Sequence, residues 1–327
     1  MTSAAASKAS GRGPRFLVTG HAGFIGSHLC DALVDAGHDV VGIDDLDDYY
    51  DPRLKRENVA HLERRGVVTH VLDLAKDPLD AAVEGVDVVF HLAAQPGISA
   101  ETPFDGYLRN NVVATQRLLE AVRRSCRNSL FVYGSTSSVY GKVAVGAEDV
   151  APAPISAYGT TKLCAEQMVL AAARAGDLRA CSLRLYSVYG PRERPDKALP
   201  KLLRAAITGT EFPLHEGSEA HTRSFTYVSD AVAGFLATIP RARDLVGEIV
   251  NIGSDVETPM PRLLEIVEEV SRKPLRTRRV PPRAGDQTHT RADIGKARRL
   301  LGYDPRVPIE NGIAKQYAWL AKRIDGA

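Results

Sequence analysis

The chain has 327 residues, 44% hydrophobic and 25% charged, a balance that excludes gross disorder and a collagen-like repeat. Against 42 Lys plus Arg stand 40 Asp plus Glu, and a formal charge of +2 excludes a protein built mainly to wrap nucleic acid. No run approaches the ~18 apolar residues of a membrane span. Cys30, Cys126, Cys164 and Cys181 lack Cys-x-x-Cys or zinc spacing, as expected of reduced thiols in a cytoplasmic protein.

Residues 1–13 are small and polar with no apolar core, which predicts a disordered tail and not a signal peptide. Short apolar runs then alternate with helical patterns. Residues 15–19, 39–43, 67–73, 86–93, 129–135 and 179–186 read as buried strands, nearly continuous and β-branched. Helices are expected at 24–36, 53–65, 103–124 and 156–174. This alternation predicts an α/β fold, a doubly wound parallel sheet of the Rossmann type. Beyond residue 190, Pro and Arg rise and the regularity falls, which predicts a smaller C-terminal substrate lobe. Phe225–Asp230 is expected to return to the main sheet. The expected organisation is therefore 14–186 with 225–252 as the dinucleotide-binding domain, interleaved with 187–224 and 253–327 as the substrate lobe.

The first strand runs into Gly20-His21-Ala22-Gly23-Phe24-Ile25-Gly26, a Gly-x-x-Gly-x-x-Gly turn opening a helix. Glycines there permit a tight turn and close backbone approach to a diphosphate, which the helix N-terminus attracts. Asp44, ending the second strand about 20 residues on, suits the ribose hydroxyls and repels a 2′-phosphate, so NAD is expected over NADP. Tyr158-Gly159-Thr160-Thr161-Lys162 places a phenol and an ammonium one helical turn apart on one face. A nearby cation lowers a phenol's pKa from about 10, so Tyr158 is the expected base and Lys162 its partner. None of the nine histidines forms a ligand cluster, and no metal is expected. His91 is expected to be a packed strand-end residue.

The glycine spacing resembles the extended branch of the short-chain dehydrogenase/reductase family, a resemblance covering Arg15 to about Tyr317. It implies that Asp73-Leu74 lies near the adenine, that Leu92-Ala93 of His91-Leu92-Ala93-Ala94-Gln95 lines the cofactor, and that Asn111 and Tyr186 also contact it. It further implies a catalytic hydroxyl five residues before the Gly of Val139-Tyr140-Gly141, which is Thr136. In related 4,6-dehydratases an Asp-Glu pair follows that Thr, and in uronate decarboxylases a Ser-Glu pair. Here Ser137-Ser138 follows, with no carboxylate, as in an epimerase.

Residues 42–58 and 187–209, the latter with a Gly-Pro-x-x-Arg-Pro-Asp core, are similar to segments of the UDP-glucuronate 4-epimerases. The resemblance implies a sugar carboxylate held by Thr136, Ser137, Ser138 and Ser187, with Arg194 nearby. Uronate enzymes often carry Arg where this chain has Ser99. Arg223 and Arg283 are expected on the diphosphate, where guanidinium–phosphate bonds are commonly bidentate, and Asp286 on the uridine ribose. UDP-glucose 4-epimerase, a decarboxylase or dehydratase, and an inactive NAD-sensing module are the alternatives; the last would be expected to lack Tyr158 or Lys162. The resemblance also implies a homodimer through the helices at 103–124 and 156–174.

Overall fold

A computed structural model describes residues 13–97, 102–282 and 287–325. The expected tail lies outside these residues, save Gly13. Seven strands form the main sheet: β1 (Arg15–Thr19), β2 (Asp39–Asp44), β3 (Val68–Val71), β4 (Val88–His91), β5 (Leu130–Thr136), β6 (Arg179–Leu185) and β7 (Ile249–Ile252). Their order is β7-β6-β5-β4-β1-β2-β3, and every neighbouring pair is parallel. Parallel strands need crossovers, supplied here by α1 (Phe24–Asp35), α2 (Pro52–Arg64), α3 (Ala114–Ser125) and α4 (Ala157–Arg174).

The strands alternate their apolar side chains between two cores. Phe16, Val18, Phe90, Val132 and Leu183 face one side, with Leu29, Cys30 and Leu33 of α1. Leu17, Val89, Phe131 and Ala180 face the other, with Leu118 and Val122 of α3 and Ala165 and Val169 of α4. Both faces being covered explains why the strands read as continuous apolar runs.

Two expectations change. The third strand is an edge, not a buried strand, with Val68 and Val71 46% and 59% exposed. The Phe225–Asp230 segment does not join the main sheet: Thr226 and Tyr227 pair with Val188 and Tyr189 in a separate two-stranded sheet. The return is made by β7, after a helix at Val228–Leu236 that packs on α1.

The remaining chain is less regular. Short strands at Val143–Ala144, Thr222–Arg223, Thr258–Pro259 and His289–Thr290 form a four-stranded sheet, and Glu211–His215 pairs with Arg276–Val280. Helices at Ala198–Thr208, Met260–Ser271 and Ile309–Asp325 pack on one another. Among the described residues no helix is long and apolar enough to cross a membrane.

Candidate active site

The strand order reverses between β1 and β4, and such a switch point opens a crevice at the carboxyl ends of the strands. Gly20 sits there with φ 71°. A Cβ on it would lie 2.8 Å from the Ala93 N, so only glycine lets the β1 and β4 turns close together. α1 begins at Gly23 with no side-chain cap, which leaves the N–H end of the helix, at Phe24 and Ile25, suited to a diphosphate. Asp44 is buried at the next strand end and accepts hydrogen bonds from Ala22 N–H (3.2 Å) and Leu46 N–H (3.0 Å). Burial pushes its carboxyl up, while the Lys55 ammonium, 3.7 Å away, opposes the shift. This cradle fits a dinucleotide with a free 2′-hydroxyl.

Other expected cofactor residues are distributed unevenly. Asp73 is paired with Arg109 and accepts from Ala75 N–H, and Leu74 is buried beside it. Leu92 and Ala93 follow β4 and are tied to β1 by their N–H groups, both donated to Thr19 Oγ1 at 3.2 Å. With its lone pairs taken, that hydroxyl donates to His91 Nδ1 (2.7 Å). His91 Nε2 is then the protonated nitrogen facing Thr115 Oγ1 (2.9 Å), whose hydroxyl donates to Asn111 O (2.7 Å). Burial lowers the His91 pKa to about 3, so it is a neutral strut.

Asn111 lies in a π-helical turn, Leu108–Val113, a departure that often marks functional sites. Its carboxamide accepts from Gln95 N–H and donates to Gln95 O and Thr161 Oγ1, so it braces the cofactor loop against α4. Tyr186, expected at the cofactor, is fully buried beside Tyr140.

The residues expected to be catalytic do converge on the turn after β5. Ser156 caps α4 by accepting from Gly159 N–H at 3.1 Å. A Cβ on Gly159 would lie 2.7 Å from Ser138 O, so glycine here draws Tyr158 against the turn after β5. Burial raises the Tyr158 pKa; the Thr136 hydroxyl beside it and the Arg194 charge oppose that. Lys162 stands one turn beyond Tyr158 on the same helix. Its ammonium donates to Gly134 O at 2.7 Å and lies 4.2 Å from the centroid of the Tyr133 ring. Burial lowers its pKa to about 7, opposed by Glu166 one helical turn further on. Glu166 is itself locked by Arg184 (2.6 Å) and by the Ser182 hydroxyl (2.9 Å), with Tyr140 on the Arg184 guanidinium.

Of the expected sugar-binding residues, Thr136 lies beside Tyr158 and the Arg194 charge acts on its phenol. Thr136 Oγ1 accepts from Ser138 N–H, and Ser137 is tied to Gln287. Ser187 has φ 31°, a conformation costly for a residue with a Cβ and commonest at functional sites. The loop beyond it is pinned to α1 by His28 on Pro191 O (2.9 Å) and by Arg192 on Asp31 (2.7 Å). Arg194 is not a solvated loop charge, its side chain being 11% exposed. Arg223 lies on the short strand Thr222–Arg223 and bonds Thr222 O. Arg283, Asp286 and Ser99 lie outside the described residues.

Glu193, beside Arg194, carries a prediction. Burial raises its pKa from 4.5 to about 7, and Gln316 Nε2 donates to it at 2.8 Å while Gln316 Oε1 has no partner among the described residues. Between pH 4.5 and 7 the folded chain keeps this proton and the unfolded chain loses it, so the stability contribution falls as pH rises. Glu193→Gln removes that loss and supplies an amide donor for Gln316. Its expected gain is near zero below pH 4.5 and about 1–3 kcal/mol above pH 7. Denaturant melts at pH 5 and pH 8 measure the difference; equal effects at both would refute it.

Among the residues not anticipated are Glu166, Arg184 and Tyr49, whose ring Arg194 overlies. Glu166 was findable, because it continues the Tyr158–Lys162 helix face by another i+4 step. Arg184 and Tyr49 meet their partners only through the fold.

Comparison with known proteins agrees with this geometry. A profile described as the NAD dependent epimerase/dehydratase family matches residues 16–253. The chain is 37% identical to an uncharacterized UDP-glucose epimerase of Bacillus subtilis, over 95% of this chain and 99% of that one. It is 34% identical to UDP-glucuronate 4-epimerase 3 of Arabidopsis thaliana, over 96% and 78%. The crystal structure of UDP-glucuronic acid 4-epimerase from Bacillus cereus with UDP-glucuronic acid and NAD superposes with a TM-score of 0.90 at 35% identity, covering 94% and 99%.

Proposed function

The chain belongs to the NAD dependent epimerase/dehydratase family, and we propose that it interconverts UDP-glucuronate and UDP-galacturonate at C4′, with NAD as cofactor. The observation that carries the reading is the hydroxyl-lined turn Thr136-Ser137-Ser138, with no carboxylate, packed on the Tyr158 helix at Gly159, with the Arg194 side chain only 11% exposed. Tyr158 accepts the 4′-hydroxyl proton and later returns it. Thr136 hydrogen-bonds the 4′-oxygen, and Lys162 braces the end of β5 beneath it. NAD, when bound, supplies a reversible hydride acceptor. The 4-keto sugar turns over within the site, and Tyr158 then reprotonates the 4′-oxygen of the epimer.

Incubation with UDP-glucuronate and with UDP-glucose, followed by chromatography, tests this. UDP-galacturonate is expected, without net change in nicotinamide absorbance. Exclusive turnover of UDP-glucose would give the second reading, which the name of the Bacillus subtilis relative favours. The absence of Glu after Thr136-Ser137 opposes a decarboxylase or dehydratase.

A uronate oxidised at C4′ is a β-keto acid, which loses CO₂ readily when the bond to its carboxylate aligns with the carbonyl π system. Ser137, Ser138 and Ser187 hold the carboxylate out of alignment, with Arg194 as the charged contact. A hydrogen bond to a charged group is worth about 1.5–3 kcal/mol. Ser187→Ala and Arg194→Ala are therefore expected to shift the partition toward UDP-pentose by roughly 10- to 100-fold. Slowed turnover with no UDP-pentose from either variant would place the restraint elsewhere.

The protein is expected to act in the cytoplasm as a homodimer through the helices at 103–124 and 156–174, with no nucleic-acid or membrane partner. Exposed Phe104, Leu108 and Val113 on the first of these support the pairing.

A further inference from the structure

Resting on the uronate reading above, we propose that Tyr49 is a specificity-determining positioning residue, whose ring holds the Arg194 guanidinium toward the sugar carboxylate. The Arg194 Cζ lies 5.4 Å from the centroid of the Tyr49 ring, inside the ~6 Å reach of a cation–π contact. Asp196 takes another side, with Oδ2 3.4 Å from Arg194 Nη2. Gly97 closes a third: a Cβ there would lie 3.1 Å from Nη2 and 3.4 Å from the Tyr49 hydroxyl. Nη1, which the same Cβ would approach to 3.5 Å, is buried with no hydrogen-bond partner among the described residues. A buried donor left unpaired is costly, so this guanidinium keeps unused capacity for an anionic acceptor that the side chain can turn to meet.

Tyr49 reaches Arg194 because the loop beneath it is tightly stapled. The loop starts at Asp44, which accepts from Leu46 N–H at 3.0 Å, and Asp47 accepts from Tyr49 N–H at 3.4 Å. The buried Lys55 ammonium pairs with Asp47 and lies 3.7 Å from Asp44. The loop that begins at the residue expected on the cofactor ribose thus ends in the ring that grips the carboxylate's cation. A neutral hexose has no carboxylate for Arg194 to meet, so loss of the ring falls on uronate substrates alone.

The test compares wild type, Tyr49→Leu and Tyr49→Phe, measuring kcat and KM for UDP-glucuronate and the inhibition constant of UDP-glucose as competitor. Tyr49→Leu is expected to raise the uronate KM by roughly 5- to 30-fold, the equivalent of about 1–2 kcal/mol of cation–π attraction. The UDP-glucose inhibition constant should move by less than about threefold, well below that cation–π range. Tyr49→Phe keeps the ring and should restore most of the uronate affinity. Equal weakening of both nucleotide sugars, an unchanged uronate KM, or a Phe variant as poor as Leu overturns the assignment while leaving the function standing. A wild-type protein inert toward UDP-glucuronate overturns the substrate reading and this assignment with it.

Discussion

Replacing Tyr158 with Phe is expected to lower kcat on UDP-glucuronate by about 10²–10⁴-fold, the span usual for a general acid–base group. The argument is geometric. The phenol lies beside the Thr136 hydroxyl, and the Arg194 charge opposes the upward shift that burial gives it. Phe preserves the ring and its packing 6.4 Å from Tyr107, so the fold and nucleotide affinity should survive. Calorimetric NAD binding within about threefold of wild type, far less than the catalytic span, would separate the loss of a base from loss of the site. Near-wild-type turnover by the variant would remove Tyr158 from the mechanism.

The second large effect is on stability. Arg184 and Glu166 form an ion pair with side chains 1% and 0% exposed, bonded at 2.6 Å. Removing one partner leaves the other charged in the core, at a cost of about 3–5 kcal/mol. At ~2.1 cal/mol/K per residue, such a loss lowers Tm by roughly 4–8 °C in a chain of this length. Arg184→Met and Glu166→Gln should each show it by calorimetry, whereas the apolar double variant Arg184→Met with Glu166→Leu should recover much of it. The two single variants should also separate in sign at Lys162. Glu166 is the charge that raises its depressed pKa. Loss of Glu166 should therefore lower the Lys162 pKa, and loss of Arg184, which frees the carboxylate's field, should raise it. Opposite displacement of the alkaline limb of the kcat profile is the expected outcome; a common displacement would detach the pair from Lys162.

What the sequence by itself determined was local: apolar runs that must be strands, the glycine turn that must open a helix, and a Tyr and a Lys that must share a helix face. These follow from backbone geometry and side-chain period, which adjacent residues set. Tertiary structure alone decided where side chains of distant segments meet. It turned the Lys162 ammonium to Gly134 O and placed Arg194 as a charge acting on Tyr158. It left the Val68–Val71 strand at an edge and paired Thr226–Tyr227 outside the main sheet. It also closed Tyr186 into the core and brought Tyr49 onto Arg194. Each of these depends on burial and charge contributed by elements far apart in the chain, and no spacing within one segment encodes that.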